Sequence, residues 1–319
     1  MKGIFKLFLS GSMGAMLAGA LATRLRAQAA PPAQPRGTPP STDIFLAPLT
    51  TRGGKLVLGA PVNITKRPGY DNQPSFTPDS RALLFTSVRD DAQADIYRYD
   101  LSRKTTVRLT NTPESEYSPT VFGTGARFSV IRVERDSTQR LWSFRMDGSD
   151  PRLVFEQIRP VGYHVWVDST TVALFVLGSP NSLLLADVRT GRTDTIAHDI
   201  GRSLAPLPRG NGFSFVQRMR DSMWVLTAVD VRRSLGGLQE MAMPLARMPV
   251  GADYVAWLAP AEAISGAGSR LLVWRGSREA GKWAELADLR RYGIDRISRL
   301  ALSPDRRWVA IVAEPAASR

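Results

Sequence analysis

Catalysis near neutral pH is most often run by imidazoles, thiols or converging carboxylates. This chain of 319 residues has no Cys and only two His, His164 and His198. Without Cys there can be no disulfide, thiol nucleophile, cysteine zinc site or lipid-anchoring cysteine. The two His are far apart in sequence and lack an acid-x-His neighbour, so they read as a polar loop residue and a turn residue rather than a metal pair. Asp90, Asp91 and Asp95 in VRDDAQAD could offer oxygens to Ca²⁺. Their spacing lacks the Gly and distal Glu of a known calcium loop, and solvated turn carboxylates fit better. Gly201-Arg202-Ser203-Leu204-Ala205 approaches a nucleophile elbow, but no His follows Ser203 to act as its base. The expectation is a protein that is not an enzyme, with no catalytic residue, metal or cofactor.

Charge and the N-terminus constrain the partners. The formal net charge is +13, which on its own suggests nucleic acid, an anionic membrane or an acidic protein. Lys2 and Lys6 precede an apolar run from Leu7 to Ala22, and Ala27-Gln28-Ala29 supplies a small-x-small cleavage site, so residues 1–29 read as an export signal. The run is too short, and too rich in Gly, to cross a bilayer. Removing it takes away Lys2, Lys6, Arg24 and Arg26 and no acid, so +13 falls to +9. The remaining positive charge is spread along the chain without the concentrated stripe a phosphate backbone needs, which argues against nucleic acid. A periplasmic or secreted monomer, with no integral span after cleavage, is expected. Residues 30–41, APPAQPRGTPPS, form a Pro-rich linker, residues 42–314 the folded domain, and 315–319 a tail.

The folded part alternates short runs of Val, Ile, Leu, Phe and Trp with Gly, Pro, Asp and Ser clusters, an all-β pattern. A longer period is also present. PSFTPDSRALLFTS (74–87) aligns without gaps on the segment ending at Ala313, placing Phe76 on Leu302, Pro78 on Pro304, Asp79 on Asp305 and Phe85 on Ile311. PTVFGTGARFSVIR (119–132) is a third copy, and weaker ones start near His164, Ala205 and Val255. The equivalent core positions are Phe76, Val121, Trp166, Leu207, Trp257 and Leu302. Each copy is a hairpin followed by a second pair of strands, as in ADIYRYDL with TTVRLT; KWAELADL is the poorest match and residues 260–268 read as a stretched turn. DIFLAP with APVNIT stands before the first hairpin. Six such units of ~45 residues predict a six-bladed β-propeller of four-stranded blades. Because the chain opens with an outer pair and closes with an inner pair, the N-terminal strands must pair with the C-terminal ones to close the ring. The seven Trp fall inside strands and read as wedges between blades.

The phrases QPSFTPDSRALLFTS, YSPTVFGTGARFSV and LALSPDRRWVAIVA, with ADIYRYDL after the first, resemble the TolB-type propeller repeat over residues 42–314. The pattern departs where Asp-Gly becomes Asp79-Ser80 and Asp305-Arg306. A TolB protein also carries an α/β domain before its propeller, where this chain has the signal and linker. The resemblance implies the propeller fold; a fold by itself does not fix function.

Residues just before each inner strand should line the mouth of the central channel: Tyr70, Asp71, Glu116, Tyr117, Tyr163, His164, Arg202, Asp253, Tyr254 and Arg296. Four Tyr with acids, a His and two Arg can grip a peptide or small polar ligand by stacking and charge-assisted bonds; alternatively the Tyr only cap their own blades. The expected function is a non-enzymatic binding or scaffold protein of the cell envelope, with a protein or peptide as partner. The alternative is a propeller enzyme acting on carbohydrates or lactones.

Overall fold

A computed structural model describes residues 39–89, 93–208, 210–219, 223–234, 237–276 and 281–314. The expected signal, the linker up to residue 38, Asp90, Asp91 and the tail lie outside the described residues. The chain opens with β1 (Asp43–Arg52), β2 (Lys55–Leu58) and β3 (Val62–Asn63). Blade 1 follows with β4 (Asp71–Phe76), β5 (Ala82–Val88), β6 (Ala94–Asp100) and β7 (Thr105–Arg108). Blade 2 has β8 (Ser115–Phe122), β9 (Arg127–Val133), β10 (Gln139–Arg145) and β11 (Arg152–Leu153). Blade 3 has β12 (Val161–Trp166), β13 (Thr171–Val176), β14 (Ser182–Asp187) and β15 (Thr193–His198). Blade 4 has β16 (Ile200–Pro206), β17 (Gly212–Arg218), β18 (Trp224–Ser234) and β19 (Gly237–Arg247). Blade 5 has β20 (Val255–Ala259), β21 (Glu262–Ala267), β22 (Arg270–Arg275) and β23 (Trp283–Asp288). The last strands are β24 (Ile297–Leu302) and β25 (Trp308–Ala313).

The sixth blade is composite. Its order is β2-β1-β25-β24, with β3 also on β1. Strand β1 runs antiparallel to β25 from Asp43 opposite Ala313 to Pro48 opposite Trp308. Alternation along β1 sends its side chains to two neighbours at once. Ile44 and Leu46 pack with Phe76, Leu83, Phe85 and Tyr97 of blade 1, while Phe45, Ala47 and Leu49 pack with Leu258, Ile264 and Val273 of blade 5. The six-bladed, end-to-end closed ring expected from the repeat is therefore present.

The Asp turns explain the departures from Asp-Gly. Asp79 accepts from Thr77 Oγ1 (2.6 Å) and from the Arg81 amide, and Asp305 accepts from Ser303 Oγ (2.6 Å) and the Arg307 amide. Ser80 (φ 58°) and Arg306 (φ 60°) sit in the left-handed region usually given to Gly. The hydroxyl of Ser80 offsets that cost, because its Oγ accepts from the Asp305 amide at 3.0 Å and ties the turn of blade 1 to that of blade 6.

Blade 5 corrects the sequence reading. Residues 260–268 are not a stretched turn, because Glu262–Ala267 is the second strand of the blade and Arg270–Arg275 the third. AISGA looks like a loop because Ile264 is its one bulky β-branched residue among small ones, but the small side chains are a packing requirement. A Cβ on Gly266 would overlap the Ile297 side chain, with the Ile297 Cβ 2.7 Å away, so blade 6 can approach only a bare backbone here.

Candidate functional site

The inner strands β4, β8, β12, β16 and β24 each shift register partway along, between Asn72 and Ser75, Tyr117 and Thr120, Val161 and Tyr163, Ile200 and Leu204, and Ile297 and Arg299. A bulge re-aims the side chains beside it. Gln73 (φ 57°) and Ser118 (φ 55°) take left-handed backbone at two of these bulges. Gln73 Oε1 fixes both, accepting from the Ser118 amide at 2.7 Å and from Thr86 Oγ1 at 2.8 Å.

Beyond the bulges the inner strands enclose a funnel of about 690 Å³. It is lined from the level of Tyr163, Arg202, Tyr254 and Arg299 up to the turns holding Pro78, Gly123, Ser169, Pro208 and Pro304, so it opens where the inner strands end. Its walls are aromatic and proline-rich, with Phe76, Phe122, Trp166 and Trp257 among the lining. Phe122 and Trp166 stack across two blades at 4.0 Å between centroids and 7° between planes. Trp166 and Trp257 are held by donating Nε1–H to Ser129 Oγ and Ser214 Oγ, each at 2.8 Å, on the second strand of the preceding blade.

The floor is built around Arg299. Its guanidinium lies 4.2 Å from the Tyr254 ring centroid and 5.1 Å from that of Tyr163, and Nη2 donates to the Tyr163 hydroxyl at 3.4 Å. Burial works to lower its pKa, but the surrounding tyrosines Tyr254, Tyr163 and Tyr70 outweigh it and hold the group firmly charged. Burial raises the Tyr254 hydroxyl to about 12 and drives Tyr70 up as well. Tyr163 moves the other way: burial would raise it, but Arg299 and Arg202 together prevail. Among the described residues no carboxylate forms an ion pair with Arg299 or Arg202. A cation–π face contributes about 0.5–2 kcal/mol, whereas taking an ion out of water costs roughly several kcal/mol. The floor thus carries a charge that its own protein partners compensate only in part.

Of the ten residues expected at a channel mouth, Tyr163, His164, Arg202 and Tyr254 line the funnel. His164 is buried against Ser129 Oγ (2.6 Å) and burial pushes it down to about 3, so it adds no charge. Tyr70, Asp71, Glu116, Tyr117, Asp253 and Arg296 lie outside the funnel lining, on the side where the inner strands begin. Asp71 is buried, accepting from Ser87 Oγ at 2.6 Å and pairing with Arg67 at 3.1 Å; burial nevertheless raises its pKa. Glu116 is fully buried between Thr112 and Arg132 Nε (3.1 Å), and burial lifts it to about 7. Tyr117 packs on the core between blades 2 and 3. Asp253 is exposed, and Arg296 is exposed and paired with Glu314 at 3.4 Å.

Sequence reasoning missed Arg299 by seeking channel residues just ahead of the inner strands, which selected Arg296. The repeat held the signal: Arg299 is three residues before Leu302, as Gln73 precedes Phe76, Tyr163 precedes Trp166 and Tyr254 precedes Trp257. The other candidates have ordinary roles. Ser203 is buried and its Oγ accepts from the Val255 amide at 3.1 Å. Asp95 is buried against Arg108 and Thr110, not offered to solvent. Trp166, Trp257 and Trp274 are buried between blades, whereas Trp224 is exposed.

No model of a known protein family matches the chain. Several solved propellers do resemble it. A putative TolB from Agrobacterium tumefaciens superposes with a TM-score of 0.63 at 15% identity, covering 86% of this chain and 98% of that one. TolB from Acinetobacter baumannii gives 0.55 at 12% identity, covering 88% of this chain and 65% of its own. XC5397, a gluconolactonase from Xanthomonas campestris, gives 0.57 at 12% identity over 87% and 99% of the two chains. At these identities the similarity establishes the six-bladed fold, shared by TolB proteins and by an enzyme.

Proposed function

We propose that the protein is an exported, non-enzymatic binding protein whose funnel receives a segment of a protein or peptide partner in the cell envelope. The observation that carries this reading is the funnel itself. It is of ligand-binding size, with aromatic and proline side chains interleaved with Ser and Thr on its walls and Arg and Tyr at its floor, surfaces that can hold both the apolar and the polar parts of a partner segment. The one carboxylate among its described lining residues, Asp168, is engaged by the Thr170 and Thr171 amides and hydroxyls. The competing reading, carbohydrate or lactone chemistry, is prompted by the gluconolactonase neighbour. It needs converging acids or imidazoles at the funnel, where Asp168 and the buried His164 are the acid and the imidazole among the described lining residues.

Export rests on the signal-like start and the cleavage site before Ala30. No helix among the described residues is long and apolar enough to cross a bilayer. Filling the funnel tests the function. Ser75 is a half-buried lining residue, and Ser75→Trp should weaken binding of the envelope partner at least about tenfold with an unchanged melting temperature. The control Val107→Asp, on the exposed outer strand of blade 1, should leave binding alone. Equal affinity for wild type and folded Ser75→Trp refutes the reading.

A further inference from the structure

The funnel floor has a chemical preference that its shape alone does not explain. Arg299 stands at the base of the cavity, enclosed by tyrosine rings, with a single long hydrogen bond to a hydroxyl and, among the described residues, no acid to neutralise it. Arg202 lines the same floor and Arg306 the rim. Asp168, the one acid among the described lining residues, already accepts four hydrogen bonds within its own turn. The potential inside the funnel is consequently positive, strongest at its deepest point. A guanidinium has five donors in a planar fork that matches a carboxylate in bidentate fashion, and the Tyr faces hold the fork while leaving its donors largely unused.

We propose that the base of the funnel is a carboxylate-binding site, in which Arg299, assisted by Arg202 and the Tyr163 hydroxyl, grips the anionic group of a ligand whose apolar part rests on Trp166 and Trp257. This deepens the functional reading above and rests on the same cavity. The carboxylate can come from the free C-terminus of an inserted peptide, from an acidic side chain, or from a small organic acid; the chemistry at the floor is the same.

Benzoate and its neutral isostere benzamide test the floor without needing an identified partner. Titrated into the whole protein and followed by nuclear magnetic resonance, benzoate should bind saturably and about tenfold or more tighter than benzamide. Arg299→Gln should abolish that preference, and Arg299→Lys should keep part of it. Should Arg299→Gln fail to fold, Arg202→Gln supplies the second variant, with a reduced preference expected. Equal binding of the two probes by wild type, or a benzoate preference that survives in folded Arg299→Gln, overturns the proposal.

Peptides selected for binding then separate the sources. Loss on C-terminal amidation assigns the terminus, and recovery by an internal Glu in the amidated peptide assigns a side chain. If acid-free amidated peptides bind as well as free ones, the carboxylate site is wrong while a peptide-binding funnel stands. If benzoate binds through Arg299 and no peptide binds, the carboxylate site stands and the partner-segment reading falls.

Discussion

Breaking the closure at β1 should cost as much as the whole domain can spare. Ile44 and Leu46 face blade 1 and Phe45, Ala47 and Leu49 face blade 5, and none is more than 7% exposed. Burying a large apolar side chain contributes about 1.5–3 kcal/mol, so the four large residues together supply roughly 6–12 kcal/mol, comparable with the ~5–15 kcal/mol of a typical domain. Deleting residues 41–66, which removes β1, β2 and β3, should therefore abolish cooperative folding, since β25 and the flanks of blades 1 and 5 are exposed together. The single change Ile44→Ala is the graded version. Ile44 is fully buried, and the truncation should cost about 2–5 kcal/mol in urea unfolding, read as a lower midpoint at unchanged m. Val57→Ala, on the half-exposed β2 of the same blade, should stay within about 0.5 kcal/mol. A deletion protein that melts cooperatively as a monomer at the wild-type temperature, or an Ile44→Ala cost no larger than that of Val57→Ala, would rule out closure through β1 as the source of this stability.

Three further outcomes are expected. Gly266→Ala should destabilise by about 1–3 kcal/mol through overpacking against Ile297, and the double variant with Ile297→Ala should show positive coupling in a mutant cycle; additive costs would disprove the contact. Glu116, lifted to about 7 from an ordinary 4.5, makes a contribution that is complete below about pH 4.5 and lost as pH rises through 7. By linkage this is worth on the order of 3 kcal/mol, so wild type should lose stability relative to Glu116→Gln between pH 4.5 and 7.5, and parallel curves in unfolding titrations would contradict it. The exported form should begin at Ala30; an intact mass that retains Lys2 would exclude cleavage.

The repeat was legible because its core positions tolerate few residue types. Phe76 and Leu302, aligned from sequence, occupy the same register, opposite Leu83 and Val309, and the Pro78-Asp79 and Pro304-Asp305 turns announce the hairpins of blades 1 and 6. Blade 5 was obscured where packing demanded small side chains, since Ala263, Ser265 and Gly266 carry no strand propensity of their own. The site was harder to see for a different reason. Seeking channel residues ahead of each inner strand found Tyr163 and Tyr254, but in blade 6 the bulge between Ile297 and Arg299 puts Arg299, inside β24, into the funnel in place of Arg296. Burial likewise could not be read from residue type: Asp71, Glu116 and His164 look like mouth residues, and each has side-chain partners inside or between blades that only the fold brings near. Arg299 and Tyr163 are 136 residues apart in the chain, and their meeting is a product of ring closure.

Entry of a partner into the funnel can be observed by site-specific photo-crosslinking in intact cells. A photoreactive side chain at Ser75 or Leu302, both lining the funnel, should capture an envelope protein or peptide, and the same group at exposed Val107 on the outer strand of blade 1 should not. Adducts formed from position 107 while positions 75 and 302 stay unreacted would contradict binding inside the funnel.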